Sequence, residues 1–360
     1  MCSGADYAET IKNLYDGIHP DVAALLDPAQ QKRRFPKKTL ETFLTKKKVK
    51  KLLPENIPGA ITNLVTSTEK LNLVPSELLR QFLTEHEAWD LLPDNLKKAI
   101  EGTQDPRAPT QGSSDFVINR ELGDWAETVV LRAVNRTHLG ITAVHYGRRD
   151  KLIAGEKSFD ELYLEHMEEL KALGKRPDIL LYRANEAPRD RLEGTKAADL
   201  VELARGAIAG FEVRSSQQAI TEDRPPEKLS FTPKVEDIDN VVRWIEHHGV
   251  PHFYVQVLFG RVYAIGFDAI LQVLASSPKS EAYRIAKVAR NQFKSTIYIP
   301  LDKGTCLSTA FTQPTELRAS IKHLPTGRVI VIVEFAGGEV TLNEASLAQL
   351  IGFPAPANPR

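Results

Sequence analysis

Two carboxylates set in apolar, strand-like runs are the residues of this chain best suited to chemistry. Asp178 lies in Arg176-Pro177-Asp178-Ile179-Leu180-Leu181-Tyr182, and Glu212 lies in Ala209-Gly210-Phe211-Glu212-Val213-Arg214-Ser215-Ser216. A strand buried in a core rarely tolerates a carboxylate, because an unpaired buried charge is very costly. Period two puts Phe211 and Val213 on one face of the second run and Glu212 and Arg214 on the other, so a carboxylate and a cation stand side by side. Hydrolysing a phosphodiester requires extra negative charge to be stabilised on an anionic centre and a water molecule to be activated. Mg²⁺ held by one or two carboxylates does both. The structural alternative is that Asp178 merely opens a strand after a proline turn and Glu212 is bridged to Arg214.

The elements that must position these acids can be read from periodicity. Apolar residues recur at helical spacing from Tyr7 to about Ile100, punctuated by prolines at 54, 58, 75 and 93, which predicts an all-helical amino-terminal lobe over 1–101. Residues 102–114 are rich in turn formers and read as a linker, leaving 115–360 as the second domain. There the pattern predicts a helix from Asn119 to Asn135 and strands at Ile141 to Tyr146, from Asp178, and at Ile208 to Arg214. A helix around Ile238 to His247 follows, then a hairpin of His252 to Phe259 with Arg261 to Phe267, and strands at 295–299 and 328–335. Strands interleaved with helices indicate an α/β (α+β) domain, a mixed sheet with helices on its faces.

With these elements in order, Pro177-Asp178 followed by Glu212-Val213-Arg214 resembles the PD-(D/E)XK signature of restriction-type nucleases. Gly123-Asp124-Trp125-Ala126-Glu127 resembles the helix that precedes it in that class. More narrowly, Glu212 to Ser216, Leu229-Ser230-Phe231-Thr232-Pro233-Lys234-Val235-Glu236-Asp237 and Pro251-His252-Phe253-Tyr254-Val255-Gln256-Val257 are similar to segments of AccI-like type II restriction endonucleases. The likeness spans roughly residues 115 to 300. It implies a restriction-endonuclease-like fold and Mg²⁺-dependent, site-specific cleavage of double-stranded DNA, with Asp178 and Glu212 as metal ligands and Glu127 as a third. Palindromic duplexes match twofold proteins, so it also implies a homodimer.

The chain departs from the class at Arg214, where a lysine is usual. Arginine stays protonated at any relevant pH and cannot act as a base, although its planar fork can hold a phosphate. Lys234 is the alternative source of an ammonium. The missing lysine also leaves two other readings open: a repair or junction-resolving nuclease, and a DNA-binding regulator with an inactive nuclease lobe.

Ten lysines and arginines against the single acid Glu41 fall between Lys32 and Lys51, among them Lys37, Lys38, Lys46, Lys47 and Lys48. Laid on phosphates, such a run releases counterions and gives affinity that falls steeply with salt; the ordinary alternative is a solvated helix face. Donors and acceptors for base edges are plentiful near the acids, at Arg189, Arg191, Ser215, Ser216, Gln217, Gln218 and Arg224. His247, His248 and His252 fit no strong zinc spacing, and Trp125 and Trp244 read as core.

Across 360 residues, 42% hydrophobic content is enough for a large core, while 47 basic against 47 acidic residues leave net charge uninformative. Two distant cysteines, Cys2 and Cys306, do not form a secreted disulfide framework, and neither a signal peptide nor a membrane span is evident, so a cytoplasmic protein is expected.

Overall fold

The computed structural model describes residues 4–26, 34–36, 73–92, 97, 114–146, 168–188, 201–216, 220–278, 280–288, 291–308, 311–323 and 329–354. The chain opens with helices α1 (Gly4–Asp16) and α2 (Pro20–Leu26), a short antiparallel pair β1 (Arg34–Pro36) and β2 (Leu73–Pro75), and helix α3 (Ser76–Glu85). The described part of 1–101 is thus not the all-helical lobe expected: a ribbon too short to show a period carries prolines at its strand ends. A long helix α4 (Ser114–Asn135) leads into β3 (Ile141–His145) and β4 (Ile179–Arg183), and α5 (Val201–Arg205) precedes β5 (Ala209–Ser216). Then come β6 (Ser230–Phe231), α6 (Val235–His248), β7 (His252–Leu258), β8 (Arg261–Gly266) and α7 (Phe267–Leu274). The last elements are β9 (Arg284–Val288), β10 (Asn291–Pro300), β11 (Thr305–Ser308), β12 (Thr315–His323), β13 (Val329–Gly337) and α8 (Glu344–Leu350).

A six-stranded mixed sheet in the order β11-β8-β7-β5-β4-β3 forms the centre. All its pairings are antiparallel except β5 with β7, whose parallel alignment requires the crossover that α6 supplies. Helices cover both faces, so the middle strands are near-continuous apolar runs rather than alternating ones; every residue of β7 is buried. Period two still sorts the side chains. Ile179, Leu181, Phe211, Val213 and Val255 pack with Trp125, Ala126 and Val129 of α4 and with Leu347 of α8. Leu180, Tyr182, Tyr254 and Ile265 pack with α6 and α7, and Ile11, Val22 and Leu26 of the first two helices join this same core. The expected mixed sheet flanked by helices is therefore the architecture of the protein.

The helix beneath the functional face explains its own placement. Val235, Ile238, Val241, Val242, Ile245 and His248 of α6 recur at spacings of three and four and are buried, while Glu236 and Asp237 occupy the first turn, where negative charge suits the helix dipole. Gly249, at φ 68°, ends it. The linker expected over 102–114 lies outside the described residues except for Ser114, which begins α4.

Candidate active site

The strand pairing brings the two acids together. Ile179 pairs with Phe211 across β4 and β5, so Asp178 and Glu212, the residues that flank this pair, lie at the same end of the two antiparallel strands. The Asp178 backbone N–H donates to the Phe211 carbonyl at 2.9 Å, and the Val213 N–H donates to Asp178 Oδ2 at 2.7 Å. Beyond Val213 the strand leaves the core, and Arg214, Ser215 and Ser216 are half-buried.

Glu212 is 2% exposed and is held through one oxygen. Lys175 Nζ lies 2.9 Å and Arg214 Nη2 2.7 Å from Glu212 Oε1. The same two cations meet Asp237 Oδ2, at 2.8 Å from Lys175 and 3.3 Å from Arg214. The other oxygen of Glu212, Oε2, is buried and accepts no hydrogen bond from a described residue. An orphaned carboxylate oxygen in that position is costly unless a further positive group engages it.

The charges at the site are unequal. Burial works against the ionised form of Glu212, but Lys175 and then Arg214 outweigh it and hold its pKa below the ordinary value. Asp178 is pushed well above the usual carboxylate range, first by burial, then by the negative charges of Glu212 and Glu127. Burial also opposes the charge on Lys175, yet Asp237 and Glu212 raise its pKa. Asp178 therefore feels two like charges, while both nearby cations are shared between Glu212 Oε1 and Asp237 Oδ2.

Glu127, on α4, has Oε2 3.7 Å from His145 Nδ1 of β3 and reaches Asp178 through its field. Lys234 precedes the first turn of α6, and its Nζ donates to Thr296 Oγ1 of β10 at 2.6 Å. Arg224 is exposed in a tight turn, exchanging backbone hydrogen bonds with Thr221. Lys37, Lys38, Lys46, Lys47, Lys48, Arg189, Arg191, Gln217 and Gln218 lie outside the described residues. His247 and His248 bond back to the Arg243 and Trp244 carbonyls in the last turn of α6, His252 is fully buried in β7, and Trp125 and Trp244 are core.

Lys175 and Asp237 are what sequence reading misses. Lys175 sits in a loop with no periodicity to tie it to a strand, and an acid in the first turn of a helix reads as a complement to the dipole. The one available signal is Gly174-Lys175 placed three residues ahead of Asp178.

Two neighbouring carboxylates, one with an oxygen that accepts no hydrogen bond from a described residue and the other destabilised by burial and like charge, suit a hard divalent cation. Mg²⁺ in particular uses one or two carboxylates and keeps waters and substrate phosphates as its other ligands. Among the described residues no three His, Cys, Asp or Glu side chains form a ready-made cage. The residues present thus fit an ion bound together with substrate better than a closed structural metal site.

The sequence model of the AccI restriction endonuclease family matches residues 84–224 and 216–355, most of the chain and all of the central sheet. The chain belongs to the AccI restriction endonuclease family. It is accordingly a nuclease of the restriction type, and Asp178, β4 and Glu212 fall within the first matched segment. Neither the comparison with curated proteins nor that with solved structures gives a match. No helix among the described residues is long and apolar enough to cross a membrane.

Proposed function

We propose that this AccI-family endonuclease is a Mg²⁺-dependent type II enzyme that cuts double-stranded DNA at a short palindromic sequence, working as a homodimer in the cytoplasm. The observation that carries this reading is the asymmetry at Glu212. Two cations hold one oxygen, the other accepts no hydrogen bond from a described residue, and Asp178 lies at the same end of the strand pair. Asp178 and Glu212 would hold the ion, with Glu127, whose charge acts on Asp178, as the third ligand. When bound, Mg²⁺ lowers the pKa of a coordinated water and neutralises charge at the phosphate.

The chain's own groups supply the rest. The Val213 N–H fixes the Asp178 carboxylate, and burial in the strand keeps Glu212 from swinging away. Arg214, whose charge is maintained by Glu212 once the cost of burial is met, presents a permanent cation to the scissile phosphate. Lys234 is the other cation considered for that role, and reaching the phosphate would require it to leave Thr296. Ser215 and Ser216 continue the same strand toward the DNA, joined by Arg189, Arg191, Gln217, Gln218 and Arg224 for base and backbone contacts, while the basic run 32–51 in the amino-terminal lobe clamps the duplex.

Incubating the protein with phage DNA in Mg²⁺ or in EDTA tests this reading. Discrete fragments in Mg²⁺ and intact DNA in EDTA are expected. Binding in both with cutting in neither would instead indicate a regulator, and nicking confined to branched or damaged DNA a repair enzyme.

A further inference from the structure

The cation needed beside the scissile phosphate is not fully assigned by the residues read from sequence. Arg214 occupies the position two residues after Glu212, and Lys234 is turned to Thr296 Oγ1. Lys175 fills the gap in space. Its Nζ and Arg214 Nη2 both lie within 3 Å of Glu212 Oε1, at 2.9 and 2.7 Å, and both also reach Asp237 Oδ2. Two positive groups converging on one oxygen repel each other, and Glu212 alone cannot balance them. Asp237 offsets that repulsion and fixes their spacing.

The backbone enforces this arrangement. The Lys175 N–H donates to the Asn240 carbonyl of α6 at 2.7 Å. Gly174 has φ +82°, and a Cβ there would stand 2.2 Å from the Asn240 oxygen and 2.5 Å from the Trp244 nitrogen. Only glycine lets the loop lie directly on α6, the helix whose first turn carries Asp237. Lys175 and Asp237 are thus fixed by one contact between a loop and a helix, and Arg214 by the strand beside Glu212.

We propose that Lys175 and Arg214 act as a paired cationic site for the scissile phosphate, with Asp237 as the positioning residue that aligns both on Glu212. The proposal rests on the nuclease reading of Asp178 and Glu212. In hydrolysis the oxygen of one water bonds to phosphorus, the bridging P–O bond breaks, the departing oxygen keeps the electron pair and takes a proton, and negative charge builds on the phosphate oxygens meanwhile. Cations already fixed in place stabilise that charge without reorganisation. Both remain protonated throughout and transfer no proton.

The test compares full-length wild type, Lys175→Met, Lys175→Arg, Asp237→Asn and Glu212→Gln. Cleavage is measured in Mg²⁺, and binding to a duplex carrying the cut site is measured in EDTA over a range of salt. Lys175→Met should cut at least about 100-fold more slowly, and its slope of log affinity against log salt should fall by about 0.9, the loss of one phosphate contact. Lys175→Arg should recover at least about tenfold of the lost rate because it keeps the charge. Asp237→Asn should lose about tenfold in rate with the wild-type salt slope, as expected of a residue acting through others. If Lys175→Met does not fold, as judged by circular dichroism, Lys175→Gln carries the same expectations. A Lys175→Met enzyme within twofold of wild type, an unchanged salt slope, or equal losses in the Met and Arg variants would overturn the paired site. Glu212→Gln separates the two levels. Its cutting at the wild-type rate would refute the assignment of the active site to Asp178 and Glu212, whereas an inactive Glu212→Gln beside an active Lys175→Met would refute only the pair.

Discussion

Beneath the acids, the sheet buries further titratable groups whose protons respond to the same charges. His252 is 0% exposed, and its pKa is lowered from 6.5 to about 4, chiefly by burial. Because the folded value lies below the unfolded one, the unfolded chain takes up a proton first as the pH falls. His252 therefore lowers stability progressively from about pH 6.5 down to pH 4, by about 3 kcal/mol at most, and has no such effect above pH 7. Urea unfolding of the metal-free protein at pH 7 and pH 4.5 checks this: His252→Asn should lose less stability between the two than wild type, and equal losses would contradict it. Asp178 carries the opposite sign, since its raised pKa favours the folded state as acid is added, so only the difference between wild type and variant isolates the histidine. At this scale the two acids were legible because each interrupts an apolar strand run. Lys175 was not, because its importance comes from a loop folding back onto a helix distant in sequence.

The elements that hold the site differ in how plainly they announce themselves. β4, β5, α6, β7 and β8 could be read from the sequence because strands covered on both faces are long apolar runs and α6 repeats its buried residues every three or four positions. The two-residue β6 and the short β11 are too brief to show a period. β12 is a ribbon strand with Leu317 and Ile321 exposed at 61% and 67%, so its mixture of polar and apolar residues carries no signature of burial. The contact between the Gly174 loop and α6 is the element-scale feature on which the site depends most. Gly174→Ala would force a Cβ against the Asn240 carbonyl at a positive φ, a strain of about 1–3 kcal/mol, and would pull Lys175 away from Glu212. A lower urea midpoint together with slower cleavage is expected; an unaltered midpoint and rate would show that the loop does not set the lysine's position.

Over the whole molecule, the two faces of the central sheet have separate duties. One face packs on α4 and α8 and contributes stability. The other carries Glu212, which shares its cations with Asp237 of α6, on the side where α6, α7 and the first two helices pack, so the amino-terminal residues share a core with the site's scaffold. This arrangement leaves two acids at one end of a strand pair, with cations drawn to one oxygen of Glu212. In the proposed function Asp178 and Glu212 together seat one divalent ion, and calorimetric titration of the DNA-bound protein with Mn²⁺ or Ca²⁺ tests this. Wild type should bind with an affinity that both Asp178→Asn and Glu212→Gln weaken by at least about tenfold, each having removed a ligand charge. Equal affinity in wild type and in both variants would show that the two acids do not share an ion.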